Sequence, residues 1–138
     1  MSKWEIGQTA SMSKTISESD IYMFAGLTGD FNSAHVNAVE AQKNIFGERI
    51  AHGILVTGLI SAVIGMKLPG EGTIYMEQDV RFLKPVMIGD TVTAEATIEE
   101  IVNDKKNIFK LKTIVKNQNN ELVIDGFAIV KAPKESEE

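Results

Sequence analysis

The spacing of apolar residues changes period near the middle of the chain. Up to residue 66 it is largely helical. Ser17 with Asp20 three residues on forms a capping-box pattern with Asp in place of Glu, and Ile21, Phe24, Ala25 and Thr28 follow on one face. Gly29 stands where a C-terminal glycine stop belongs. A shorter helix is expected over Ala38–Ile45, ended by Gly47. From Gly53 to Met66 the chain is apolar on nearly every side: Ile54, Leu55, Val56, Leu59, Ile60, Val63, Ile64 and Met66. A helix apolar all round has to be enclosed. At 1.5 Å per residue this one would reach about 21 Å, short of a bilayer but right for a core. Its Ile and Val content also suits a strand, and its length favours the helix.

Beyond residue 74 the period is two. Tyr75 to Leu83 alternates in part before Pro85 and Gly89-Asp90 interrupt it. Val92, Ala94, Ala96 and Ile98 alternate with Thr93, Glu95, Thr97 and Glu99. After a turn at Asn103-Asp104-Lys105-Lys106 come Phe109, Leu111, Thr113 and Val115. An Asn-rich turn over Lys116–Glu121 leads to a last strand, Leu122–Lys131. Hairpin-length connections predict antiparallel strands, and one more strand is expected in Thr9–Ile16. An apolar helix needs covering, and a curved sheet of about five strands needs one face buried. Wrapping the sheet around the helix satisfies both. This predicts an α+β chain in the hot-dog arrangement.

Composition narrows the chemistry. The 138 residues are 43% hydrophobic and 24% charged, enough for one domain with a real core. Residues 1–133 read as that domain, and Lys134-Glu135-Ser136-Glu137-Glu138 as a solvated tail. The absence of cysteine removes disulfides, zinc–thiolate sites, iron–sulfur clusters and thiol nucleophiles. A net charge of -5 without a basic tract gives no basis for nucleic acid or an anionic membrane as partner. Met1–Ala10 lacks the apolar core of a signal peptide, so a soluble, cytoplasmic protein is expected.

The two histidines, His35 and His52, focus the search for reactive groups. Asp30 and His35 lie five residues apart in Gly29-Asp30-Phe31-Asn32-Ser33-Ala34-His35. A carboxylate and an imidazole converging on one water are the minimum for paired acid–base work. By residue type alone the segment reads more readily as turn formers beside a surface histidine than as a catalytic pair. A calcium loop starting at Asp30 fails at its fifth and sixth positions, which are Ala34 and His35. Zincin spacing is missing and no cysteine could complete a zinc site, so no metal is expected; nucleophile elbow and phosphate-binding glycine loop are missing too. His52-Gly53 opens the apolar helix, whose first N–H groups lack internal partners. Gly53 N–H could therefore steady an oxyanion, or Gly53 could be a plain N-cap beside a buried, hydrogen-bonded His52.

The 29–35 segment resembles the Asp-x-Asn-Pro-x-His motif of the MaoC-like (R)-specific enoyl-CoA hydratases. Further blocks are similar to that family in the same order: Phe46-Gly47-Glu48-Arg49-Ile50-Ala51-His52-Gly53, Leu68-Pro69-Gly70-Glu71-Gly72-Thr73-Ile74-Tyr75, Arg81-Phe82-Leu83-Lys84-Pro85-Val86 and Gly89-Asp90-Thr91-Val92. The resemblance implies Asp30 and His35 as the catalytic pair, Asn32 shaping the loop between them, and Gly53 N–H binding the thioester oxygen. It also implies Ser61 and Ile64 lining a short-chain acyl pocket. The substrate would be an acyl-CoA, with coenzyme A arriving as part of it and no separate cofactor. The protein would be a homodimer with its sheets joined edge to edge. Ser33 stands where the motif has proline, which loosens the turn without removing a reacting group. Lys67, Arg81, Lys84 and Lys105 are candidate contacts for the phosphates on chemistry alone. The rival readings are a thioesterase and a non-catalytic acyl-CoA-binding module on the same fold.

Overall fold

The computed structural model describes residues 3–134. The tail expected at 134–138 therefore lies outside the described residues except for Lys134, which is exposed. The elements run β1 (Thr9–Thr15), α1 (Glu18–Thr28), α2 (Ser33–Val36), α3 (Ala38–Ala41), α4 (Gly53–Met66), β2 (Ile74–Phe82), β3 (Thr91–Asn103), β4 (Ile108–Lys116) and β5 (Leu122–Lys131). The five strands form one antiparallel sheet in the order β1-β3-β4-β5-β2.

The sheet wraps α4 for the reason its sequence pattern gives. Val56, Ile60, Val63 and Ile64 of α4 are buried, and they face Val92, Ala94, Ala96 and Ile98 of β3, which alternate with partly exposed neighbours. Ala94 and Ala96 are fully buried, and their small side chains let the helix approach the strand closely. Phe109, Leu111 and Val115 of β4 and Val123, Ala128 and Val130 of β5 complete the core, with the Trp4 ring set against Phe109 at 6.0 Å. Thr113, the polar residue in this layer, is satisfied by Gln78 Nε2 at 2.9 Å.

Two expectations need correction. The strand after α4 does not form a hairpin with β3; β2 pairs with β5 at the far edge of the sheet. The segment from Leu83 to Asp90 makes the crossing, held on the way by Ala51 N–H donating to Val86 O (2.7 Å) and by a bridge between Ile50 and Met87. The helix expected over Ala38–Ile45 stops at Ala41. There the Asn44 side chain accepts from Phe46 N and Gly47 N, and Gly47 takes φ +75°, so the chain turns instead of continuing. Ile45 is left 93% exposed, which explains why apolar spacing misled at this point.

Candidate active site

Every segment that carries the candidate residues is fixed by a local device. The capping box of α1 is reciprocal, with Asp20 N donating to Ser17 Oγ (3.1 Å) and Ser17 N to Asp20 Oδ2 (2.9 Å). At the other end Gly29 adopts φ +82°, a left-handed stop that only glycine takes without strain, and its N–H returns to Ala25 O at 2.8 Å. The chain then reverses into Asp30. Asp30 Oδ1 accepts from Asn32 N (3.2 Å), and the Asn32 side chain caps α2 by accepting from Ala34 N at 2.9 Å. Ser33 is thus the first residue of α2, where a proline would be preorganised, and the Asn32 cap supplies local order in its absence.

His35 sits in α2 and is half-buried. Its Nδ1 lies 2.7 Å from the Ile50 carbonyl, which fixes the Nδ1–H tautomer and leaves Nε2 free. Ile50 N in turn donates to Ala34 O at 3.0 Å, so α2 is tied to the strand-like stretch that leads into α4. Two residues past Ile50 comes buried His52 and then Gly53, the first residue of α4. The His52 side chain does not cap the helix; its Nε2 lies 3.0 Å from the Asp30 carbonyl, and its ring stacks on His35 at 3.9 Å.

These ties bring Asp30, His35 and His52 together, each offering one polar atom within 4.8 Å of the others. The set does not suit a metal. The imidazole planes are stacked at 28°, and lone pairs lie in the ring planes, so the two rings do not direct lone pairs at a common point. Each ring also has one nitrogen committed to a backbone carbonyl.

His35 and Gly53 line one apolar cavity of about 310 Å³, with Ile50, Ile54, Phe82 and Pro85 among its walls and Lys84 as its cation. A Cβ on Gly53 would lie 2.5 Å from Phe82 Cε1, so the missing side chain is what lets the Phe82 ring lie against the helix start. Asp30 is exposed beside His35, outside the lining of that cavity. Ser61 is exposed and lines a second, more open groove of about 360 Å³ with Thr57, Gly58, Tyr75 and Gln78; Ile54 is common to both. Burial pushes the Tyr75 phenol up to about 12. Ile64 is 1% exposed and packs in the core, so it and Ser61 do not form one pocket wall in this chain. Of the four candidate cations, Lys67 donates to the Ser11 carbonyl (2.7 Å) and Lys84 pairs with Glu121, while Arg81 and Lys105 are exposed. The sequence reading missed Phe82 and the Ile50 carbonyl, while its reading of His52 as a buried, hydrogen-bonded histidine holds; what it lacked was the partners, Asp30 and His35.

A five-stranded antiparallel sheet wrapped around one buried helix is the hot-dog fold, and comparison with known proteins gives the family. The MaoC like domain family matches residues 3–121, and the chain belongs to that family. It is 52% identical over 128 residues to the (R)-specific enoyl-CoA hydratase of Rhodospirillum rubrum, covering 92% of this chain and 87% of that protein. It is 41% identical to the 3-hydroxybutyryl-CoA dehydratase of Methylorubrum extorquens, covering 96% and 83%. The solved (R)-hydratase from Aeromonas caviae involved in PHA biosynthesis superposes with a TM-score of 0.92 at 37% identity, covering 96% of this chain and all of that one.

Proposed function

We propose that this protein is an (R)-specific enoyl-CoA hydratase, a lyase that adds water reversibly to trans-2-enoyl-CoA and returns (R)-3-hydroxyacyl-CoA. The observation that carries this reading is the placement of Asp30 beside a His35 whose Nδ1–H is committed to Ile50, with His35 lining the same cavity as Gly53. Names of relatives at 41–52% identity support the same chemistry.

The thioester carbonyl makes the β-carbon electrophilic. A water held between the Asp30 carboxylate and His35 Nε2 gives a proton to the pair as its oxygen attacks that carbon. Charge develops on the thioester oxygen, where Gly53 N–H, at the positive end of α4, stabilises it. The pair then returns a proton to the α-carbon. Water and both groups lie on one face of the double bond, so addition is syn, and the same steps in reverse dehydrate the product. The site needs no cofactor, since the thioester activates the substrate and coenzyme A comes with it. Asn32 keeps its place as the cap that shapes the loop. The acyl chain runs from the His35 cavity past Ile54 toward Ser61, a route that suits a short, neutral chain, with Ile64 backing the helix from the core.

Two further features belong to this reading. β2 ends the sheet and exposes Ile74, Met76 and Phe82, whereas the exposed residues of the opposite edge, β1, are Thr, Ser and Lys; the apolar edge fits a homodimer joined β2 to β2. No helix among the described residues is long and apolar enough to cross a membrane. A cytoplasmic location suits this reading, in which the substrate is an acyl-CoA. The deciding variants are Asp30→Asn and His35→Ala. Each should fold and melt like the wild type while turnover of crotonyl-CoA drops roughly 10²–10⁴-fold. Near-normal turnover in either would remove that residue from the catalytic pair.

A further inference from the structure

His52 is placed as no packing residue needs to be. It is 2% exposed and lies against the Phe24 ring (4.7 Å, 55°) on one side and the His35 ring (3.9 Å, 28°) on another. Its Nε2–H donates to the Asp30 carbonyl at 3.0 Å. With that proton on Nε2, the neutral ring carries a bare acceptor at Nδ1, and Nδ1 is buried with no hydrogen-bond partner among the described residues. An unpartnered buried acceptor costs stability, and a phenylalanine would fill the same space without one. What phenylalanine would not supply is the bond to Asp30.

We infer that His52 is a positioning residue, which locks the Asp30 backbone and the His35 ring to the first turn of α4 so that both reacting groups and Gly53 N–H keep one geometry. This inference rests on the hydratase reading and deepens it. The need follows from the chain on either side of Asp30. Gly29 has no side chain to pack, and residues 29–33 are all exposed, so nothing but local bonds steadies the carboxylate from the solvent side. The His52 bond reaches that loop from the buried side. Since His52 immediately precedes Gly53, one residue joins the proton-transfer pair to the oxyanion donor. The stacked face of His52 also limits rotation of the His35 ring, which the Ile50 carbonyl holds through a single nitrogen.

The test compares His52→Phe, His52→Gln and His52→Asn with the wild type on crotonyl-CoA, together with melting temperature and the Kd of the saturated, non-reacting butyryl-CoA. Gln carries a donor at about the reach of Nε2, and Asn one at about the reach of Nδ1. The Phe variant should keep the wild-type Tm or exceed it and bind butyryl-CoA within about threefold of wild type. Its kcat should fall about 10²-fold, the order expected for reacting groups misplaced by an ångström, with KM nearly unchanged. Gln should recover at least tenfold of that loss, and Asn should not. If Phe fails to fold, the Gln-to-Asn ratio of kcat values decides alone. A Phe variant within threefold of wild-type kcat, equal kcat in Gln and Asn, or losses of kcat that track Tm would overturn the inference. Wild-type protein that does not hydrate any enoyl-CoA would strike the hydratase reading and this inference with it; an active wild type with indifferent His52 variants would strike this inference alone.

Discussion

Gly53→Ala separates what the first residue of α4 does for the fold from what it does for the reaction. The added Cβ would stand 2.5, 2.7 and 3.0 Å from Phe82 Cε1, Cδ1 and Cζ, where carbon atoms prefer about 3.5–4.0 Å. The ring must withdraw by about 1 Å. Phe82 is 52% exposed and can swing outward, so the overpacking cost should stay near the low end, about 1 kcal/mol. Alanine regains about 0.5–1 kcal/mol over glycine within a helix, and the two effects nearly cancel. Stability should therefore change by less than about 1 kcal/mol, a shift of a few degrees in Tm. Activity should not be spared. Gly53 and Phe82 line the same cavity as His35, so the methyl and the displaced ring occupy the approach to the Gly53 N–H. Moving the thioester oxygen off that donor by an ångström should cost roughly 10²-fold in kcat/KM, which is about 2.7 kcal/mol of transition-state stabilisation. The assay is the initial loss of enoyl-thioester absorbance across a range of crotonyl-CoA concentrations, alongside thermal melts of both proteins. A stable variant with wild-type kcat/KM would refute the oxyanion role of Gly53. An activity loss accounted for by unfolding would refute the steric argument.

Other predictions concern the sheet, the charges and the groove. Gly126→Ala should destabilise the protein by about 3–5 kcal/mol in urea titration, because its Cβ would meet the Asp79 backbone carbonyl at 1.8 Å and β2 and β5 would have to part; a loss under about 1 kcal/mol would contradict the close strand contact. Burial raises Tyr75 from 10.0 to about 12, so between those values the folded chain holds a proton that the unfolded chain releases. The contribution to stability is fully present below about pH 10 and is lost as pH rises toward 12; Tyr75→Phe should flatten that limb in denaturation curves, and an unchanged limb would count against it. Lys84→Ala should raise KM for crotonyl-CoA about fivefold at low salt with kcat unchanged, the scale of one exposed charge contact, and the difference should shrink as salt increases. Equal KM values at low salt would remove Lys84 from the phosphate contacts.

How much of this was legible in the sequence follows from the range of the interactions involved. The buried α4 and the alternation of β3 were visible because every turn or every second residue repeats the same demand for burial. The position of β2 was hidden, since antiparallel pairing to β3 or to β5 satisfies the same alternation and the crossing depends on Ile50–Met87 and Ala51–Val86 contacts distant from it in sequence. The one-turn helix α2 was hidden because the Asn32 cap creates it with almost no apolar periodicity, whereas α3 was expected from Ala38 but drawn too long, since the turn at Asn44 that ends it leaves no periodic signal. In the site, Asp30 and His35 could be singled out by residue type and spacing, and more firmly by family resemblance. The stacking of His52 on His35 could not, because the strand-like stretch through Ile50 must first be held against both α2 and the 83–90 segment before the rings meet.

The central claim is tested most directly by adding the purified protein to crotonyl-CoA, following the enoyl-thioester absorbance, and resolving the product by chiral chromatography. The account predicts rapid loss of absorbance, formation of (R)-3-hydroxybutyryl-CoA and no release of free thiol. Folded protein that leaves crotonyl-CoA and its longer homologues unchanged, gives the (S) product or liberates coenzyme A would contradict it.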